Sequence, residues 1–205
     1  MKKSEETKKK IMDAAQQLFL QRGYGQVTMR EIAKQAACSH TTIYLYFPAK
    51  ETLLHDISMP YLEKVKQELE SISEKQSVEP AERLVEMCLA FIRFGLKNNS
   101  MYELFMLSDG SRADEAEPKQ QINKLRLHLF SLLSETLQNV LGIDDEEQIM
   151  VYTRILFFYL NGCVSTYSQS DESYESLWSR LSVTFETGVH GLLEGIQSGK
   201  GEEKA

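Results

Sequence analysis

The chain has 205 residues, 42% of them hydrophobic, a formal net charge of −7 and three cysteines. A chain of this length buries a core large enough to stand without a disulfide or metal staple. Cys38, Cys88 and Cys163 are widely spaced, odd in number and never paired as C-x-x-C, which fits a reducing compartment better than a secreted disulfide scaffold, so free thiols are expected.

The charge is unevenly spread. Residues 1–56 carry nine Lys/Arg against six Asp/Glu, a net +3, which leaves −10 on the remainder. Such an end either meets an anionic partner or is a solvated lysine-rich tail. The opening lysines resemble a secretory n-region, yet Asp13, Gln16 and Gln17 interrupt the apolar run that a leader needs. No stretch reads as the roughly 18 apolar residues of a membrane span. The expectation is a cytoplasmic protein without a membrane partner.

Sustained apolar/polar alternation is absent, and three- and four-residue spacing dominates, so the fold class is all-α. A first helix is predicted over about Glu5–Gln21, with Ile11, Ala14, Ala15, Leu18 and Phe19 on one face and Gly23-Tyr24-Gly25 ending it. Thr28, with Glu31 three residues later, forms a capping box for a short helix from Met29 to about Ala36. Ser39 caps a third helix that Pro48 closes. A long helix follows over Lys50 to about Glu74, with a kink or break expected between Asp56 and Pro60, because proline lacks the amide donor and crowds the preceding turn. Further helices are predicted over about Pro80–Lys97, Met101–Ser108, Lys119–Leu141, Glu146–Ser168 and Tyr174–Gln197, the loop "SDGSRADEAEP" falling between the second and third of these.

Two short helices joined by a tight turn make a helix-turn-helix. Winding the third helix puts Ile43 and Phe47 toward the core and His40, Thr41 and Tyr44 on a polar-aromatic surface opposite, with Leu45 at its edge and Thr42 and Tyr46 on the flank. Hydroxyls, an imidazole and a phenol on one face suit the DNA major groove, where they reach base edges or phosphates. Arg30 in the preceding helix offers a bidentate donor to guanine or phosphate, and Lys50 a point charge for the backbone.

The stretch "VTMREIAKQAACSHTTIYLYFPAKETLL", Val27–Leu54, with "IMDAAQQLFLQRGY" before it, resembles the DNA-binding domain of the TetR family of bacterial transcription regulators. The resemblance covers about residues 8–54. It implies that Thr28, Tyr46 and Lys50 hold phosphates, that Arg30, His40, Thr41 and Tyr44 meet bases or the groove, and that Ser39 and Thr42 belong to the same DNA-binding set. Three positions depart from the family pattern: Ala37 where a turn glycine is usual, at a cost of ~1 kcal/mol if the backbone there is left-handed; Cys38 where valine is frequent, read as a small buried hydrophobe rather than a redox switch; and Thr41 in place of a small residue.

The resemblance also implies a C-terminal helical domain that dimerises and binds a small molecule. Domains are accordingly expected at 1–50 (helix-turn-helix), 51–197 (ligand binding and dimerisation) and 198–205 (disordered tail). The last two helices repeat apolar residues at helical spacing, and Ile155, Tyr159, Cys163, Tyr167, Leu181, Phe185, Gly188 and Leu192 are the candidate dimer interface, with the subunit's own core as the other reading. Met87, Phe91, Phe94, Met101, Tyr102, Phe105 and Met106 are the candidate ligand residues, adaptable and aromatic side chains that suit an apolar or amphipathic effector and equally suit plain core. Glu82, Glu86, Glu103 and Asp109 are either receivers of a cationic compound or solvated faces.

His40, His55, His128 and His190 are scattered, and no H-E-x-x-H, G-x-S-x-G or glycine-rich phosphate loop occurs. No enzyme activity, metal or cofactor is expected. The leading function is a homodimeric, ligand-responsive regulator, acting as a repressor on a palindromic double-stranded DNA operator. The alternative is a DNA-binding regulator controlled by a protein partner or thiol oxidation.

Overall fold

A computed structural model describes residues 2–99, 102, 121–168 and 170–202. Among them the chain is helical throughout: α1 (Lys2–Arg22), a 3-10 turn (Tyr24–Gln26), α2 (Met29–Gln35), α3 (His40–Tyr46), α4 (Lys50–Ser73), α5 (Pro80–Lys97), α6 (Gln121–Leu141), α7 (Glu146–Tyr167) and α8 (Tyr174–Glu202). The expected helix over Met101–Ser108 and the loop after it lie outside the described residues, apart from Tyr102.

Two apolar cores divide the molecule. The first gathers Ile11, Ala15 and Phe19 of α1, Ile32 of α2, Ile43 and Phe47 around α3, and Leu53, Leu54 and Ile57 of α4. The second begins at Leu62 and takes in the inner faces of α4 to α8. Both cores therefore hang on α4, and Tyr61 packs against each. The handover lies between Ile57 and Leu62, about two turns beyond the boundary expected at residue 50.

Local chemistry places the helix ends. Asp145 caps α7, accepting from the amides of Glu147 (2.9 Å) and Gln148 (3.2 Å). Pro80 opens α5 at a position where its missing amide costs nothing. Where α5 crosses α7, Gly95 is required: a Cβ there would meet the Val164 methyls at 2.6 Å.

Two helix bounds differ from expectation. α4 runs as one helix from Lys50 to Ser73 through Pro60, without the break that was one of the two expected outcomes there. The proline is exposed, so the Asp56 carbonyl it deprives of a donor can turn to water, and Ser58, buried two residues earlier, bonds back to the Leu54 carbonyl at 2.7 Å. At the other end, α8 continues to Glu202 instead of ending before Ser198. A single glycine such as Gly199 weakens a helix by only about 1 kcal/mol, and Ser198 bonds back to the Glu194 carbonyl at 2.8 Å.

Among the described residues one helix, α7, is long and apolar enough by length and composition to cross a membrane, contrary to the expectation that no segment approaches this. Its inner face, Ile149, Leu156, Leu160 and Val164, packs in the second core with Thr153 buried beside them, while Val151, Ile155 and Phe158 are exposed.

Candidate nucleic-acid interface

The capping box at α2 forms as its sequence requires. Thr28 Oγ1 accepts from the Glu31 amide at 3.3 Å, while the Glu31 carboxylate accepts from the Thr28 hydroxyl (2.7 Å) and amide (2.9 Å) and from Arg22 Nη1 (2.8 Å). The Thr28 hydroxyl, then Arg22, holds the Glu31 carboxyl down from its ordinary 4.5 to about 2. Thr28, expected to hold a phosphate, thus has both faces of its hydroxyl committed to starting α2.

Ser39 does the same for α3. Its Oγ accepts from the Thr42 amide at 2.9 Å and lies 2.7 Å from Thr42 Oγ1. Between the two helices Ala37 takes φ 52°, the left-handed backbone for which glycine is suited. Cys38 packs against the first core, and burial pushes its thiol up, which lowers the thiolate fraction on which reactivity depends.

α3 is held from beneath by buried Ile43 and Phe47. His40, Thr41, Tyr44 and Leu45 are exposed, and the His40 ring meets Tyr44 edge-on at 5.0 Å. Arg30 is exposed on α2 and lines one depression with Thr28, Lys34, Cys38 and His40. The structure therefore gathers Arg30, His40, Thr41 and Tyr44 on one side of the domain. Among the described residues, Arg30 and Thr41 make no side-chain hydrogen bond or ion pair.

The remaining expected phosphate ligands are tethered. Tyr46 is half-buried, its hydroxyl donating to Ser4 Oγ at 3.3 Å. Lys50 Nζ donates to the carbonyls of Tyr24 and Val27, both at 2.9 Å, and stands 4.1 Å from the centroid of the Tyr24 ring. An ammonium has three donors, so one remains for a phosphate. Sequence reading missed these tethers because they join segments more than 20 residues apart.

Leu45 is 79% exposed and stands at the centre of the outward face, where sequence reading put it at the edge. The signal was present in the spacing: Leu45 lies half a turn from both Ile43 and Phe47.

In the second domain Met87, Phe91, Phe94 and Tyr102 are buried. Tyr102 packs edge-on to Phe91 at 5.9 Å and donates to Asn161 Oδ1 at 2.7 Å. Met101, Phe105 and Met106 lie outside the described residues. Arg126, passed over in the sequence, is buried beside Asn123, Nη1 to Oδ1 3.2 Å, and burial pulls its guanidinium down to about 10. Among the described residues no group of three or more His, Cys, Asp or Glu is placed to hold a metal ion.

The candidate dimer residues divide. Leu181 and Phe185 are buried in the subunit's own core, Tyr159 donates to the Phe185 carbonyl at 3.0 Å, and a Cβ on Gly188 would meet that tyrosine's hydroxyl at 2.0 Å. Cys163, Tyr167 and Leu192 pack against the same core. These seven residues contribute to the subunit's own core, Leu181 and Phe185 fully and the other five in part. Ile155 is exposed, and with it Val151, Phe158 (66%) and Val183 (70%), which sequence reading did not select.

Residues 11–57 match the family described as bacterial regulatory proteins, tetR family. The Bacillus subtilis "Uncharacterized HTH-type transcriptional regulator YuxN" is 29% identical over 79% of this chain and 54% of its own length. Against the first curated relatives, this one and two from Mycobacterium tuberculosis matched over 63%, the chain thus spans less than two thirds of their length. The Bacillus subtilis "Fatty acid metabolism regulator protein" is 26% identical over 88% of this chain and 94% of its own. Among solved structures, the transcriptional regulator FadR from Bacillus subtilis in complex with stearoyl-CoA has the same fold, with TM-score 0.59 at 22% identity, over 93% of this chain and 97% of that one.

Proposed function

Because this chain belongs to the tetR family of bacterial regulatory proteins, we propose that it is a homodimeric transcription repressor that binds a palindromic operator and leaves it when a small-molecule effector binds. One observation carries the reading: α3 offers His40, Thr41 and Tyr44 to solvent while Ile43 and Phe47 lock its other side to the core that α4 shares. The protein is cytoplasmic and acts by binding, without catalysis.

Two recognition helices must meet half-sites about 34 Å apart, or a multiple of that. α4 joins the DNA-binding core to the second core, so an effector that prefers one arrangement of the second domain changes the spacing and releases DNA. The second copy covers the apolar outer face of α7 and α8. The effector is apolar or amphipathic, taken up beside Phe91 and Tyr102. The stearoyl-CoA complex of the Bacillus subtilis regulator supports long-chain acyl compounds as the first to try.

Selection of duplexes from a random DNA pool tests the reading. A palindromic winner is expected, with His40→Ala and Tyr44→Ala relaxing preference at particular bases. Stearoyl-CoA is expected to raise the thermal midpoint and to release the selected duplex. No enrichment from the pool overturns the operator reading; enrichment without release by stearoyl-CoA overturns the acyl effector alone.

A further inference from the structure

Ile43 and Phe47 define the inward side of α3, and at about 100° per residue the direction opposite their mean falls on Leu45, with Thr41 about 40° to one side. Leu45 is 79% exposed, more than any other large apolar side chain among the described residues. The helix has seven residues and rises only about 10 Å, so its whole length fits the major groove, which is about 12 Å wide.

An isobutyl group at the centre of such a face has a narrow chemistry. It neither donates nor accepts a hydrogen bond, so it gains nothing from a phosphate oxygen and penalises any base edge whose polar atoms it strips of water. The apolar feature that base pairs present in the major groove is the C5-methyl of thymine. Thr41 and Tyr44, exposed beside it, border this apolar point with hydroxyls.

We propose that Leu45 is a base-reading residue, and that it selects thymine by burying its side chain against the C5-methyl at one position in each half-site. The inference rests on the operator-binding reading above and adds to it a named residue with a named base.

The test uses the full chain and the duplex it selects from a random pool. Each thymine of a half-site is replaced in turn by deoxyuridine, which removes the methyl and leaves the hydrogen-bonding edge intact. Wild-type affinity is expected to fall about fourfold at one thymine, the worth of one buried methyl. Leu45→Ala is expected to be indifferent at that thymine alone, and Leu45→Met to keep the sensitivity. The exposure of Leu45 leaves the fold of both variants intact. A wild-type protein indifferent to every replacement, a half-site without thymine, or a Leu45→Ala protein as sensitive as wild type overturns the inference while leaving the operator reading in place. Failure to enrich any duplex overturns both.

Discussion

Lys50 is bound to Tyr24 twice over: its ammonium donates to the Tyr24 carbonyl at 2.9 Å and sits 4.1 Å from the centroid of that residue's ring. A further bond to the Val27 carbonyl, also 2.9 Å, ties the start of α4 to the segment leading into α2. The same side chain thus sets the angle of the helix-turn-helix on α4 and presents its third donor outward. Hydrogen bonds from charged groups are worth roughly 1.5–3 kcal/mol, discounted here because Lys50 is only half-buried. Lys50→Met is expected to destabilise the DNA-binding core by about 2 kcal/mol on that basis and to weaken binding to all duplexes alike. A salt titration separates the two roles: loss of a phosphate contact lowers the slope by about one, whereas a purely structural lysine leaves the slope unchanged.

Ala37 holds φ 52° in the turn between α2 and α3. Left-handed backbone costs an L-residue roughly 1–2 kcal/mol, and glycine's greater freedom in the unfolded chain returns part of that. Ala37→Gly is therefore expected to stabilise the protein by about 0.5–1 kcal/mol, read as a higher urea midpoint at constant slope. A lower midpoint would show that the alanine methyl makes a contact worth more than the strain.

Glu31 makes stability depend on pH. Its folded carboxyl titrates near 2 against an ordinary 4.5, so between those values the unfolded chain holds the extra proton and folding stability rises with pH. The contribution is complete above about 4.5 and disappears as pH falls toward 2. Glu31→Gln keeps the shape of the capping box and cannot ionise. Thermal midpoints from pH 2 to 7 are expected to fall less steeply for the variant across this acid window, and parallel curves would mean that the carboxylate's bonds to Thr28 and Arg22 are screened by water.

What could be read in advance was whatever a few consecutive residues decide. Thr28 and Glu31 at capping-box spacing, Ser39 before α3, and Ile43 and Phe47 four residues apart each fixed their own role: the first three cap helices, and the last two lie in the first core. Contacts between distant segments were not legible: nothing near Lys50 announces the carbonyls of Tyr24 and Val27, and nothing near Tyr46 announces Ser4. Helices apolar on two sides were ambiguous for a different reason. α7 and α8 repeat large residues all round, so periodicity identifies a helix without saying which stripe the subunit keeps for itself.

That ambiguity has a sharp experimental form on α7. Val151, Ile155 and Phe158 recur at four- and three-residue intervals and form an exposed stripe, opposite buried Ile149, Leu156 and Leu160, while Val183 of α8 is 70% exposed. Apolar residues grouped in this way mark an interaction surface when they are contiguous, and in the homodimer proposed above a second copy of the chain would supply a matching stripe through a two-fold axis. Phe158→Asp places a charge in that interface, where an unpaired carboxylate is costly. It is expected to raise the dimer dissociation constant by at least about tenfold while leaving the helical signal of the subunit unchanged. Phe185→Ala acts inside the subunit, next to Tyr159, and is expected to lower stability by roughly 3–5 kcal/mol, as truncation of a buried phenylalanine does. Light scattering on eluted protein, with circular dichroism on the same fractions, distinguishes the two. A Phe158→Asp protein that stays dimeric at micromolar concentration would move the interface away from the outer stripe of α7.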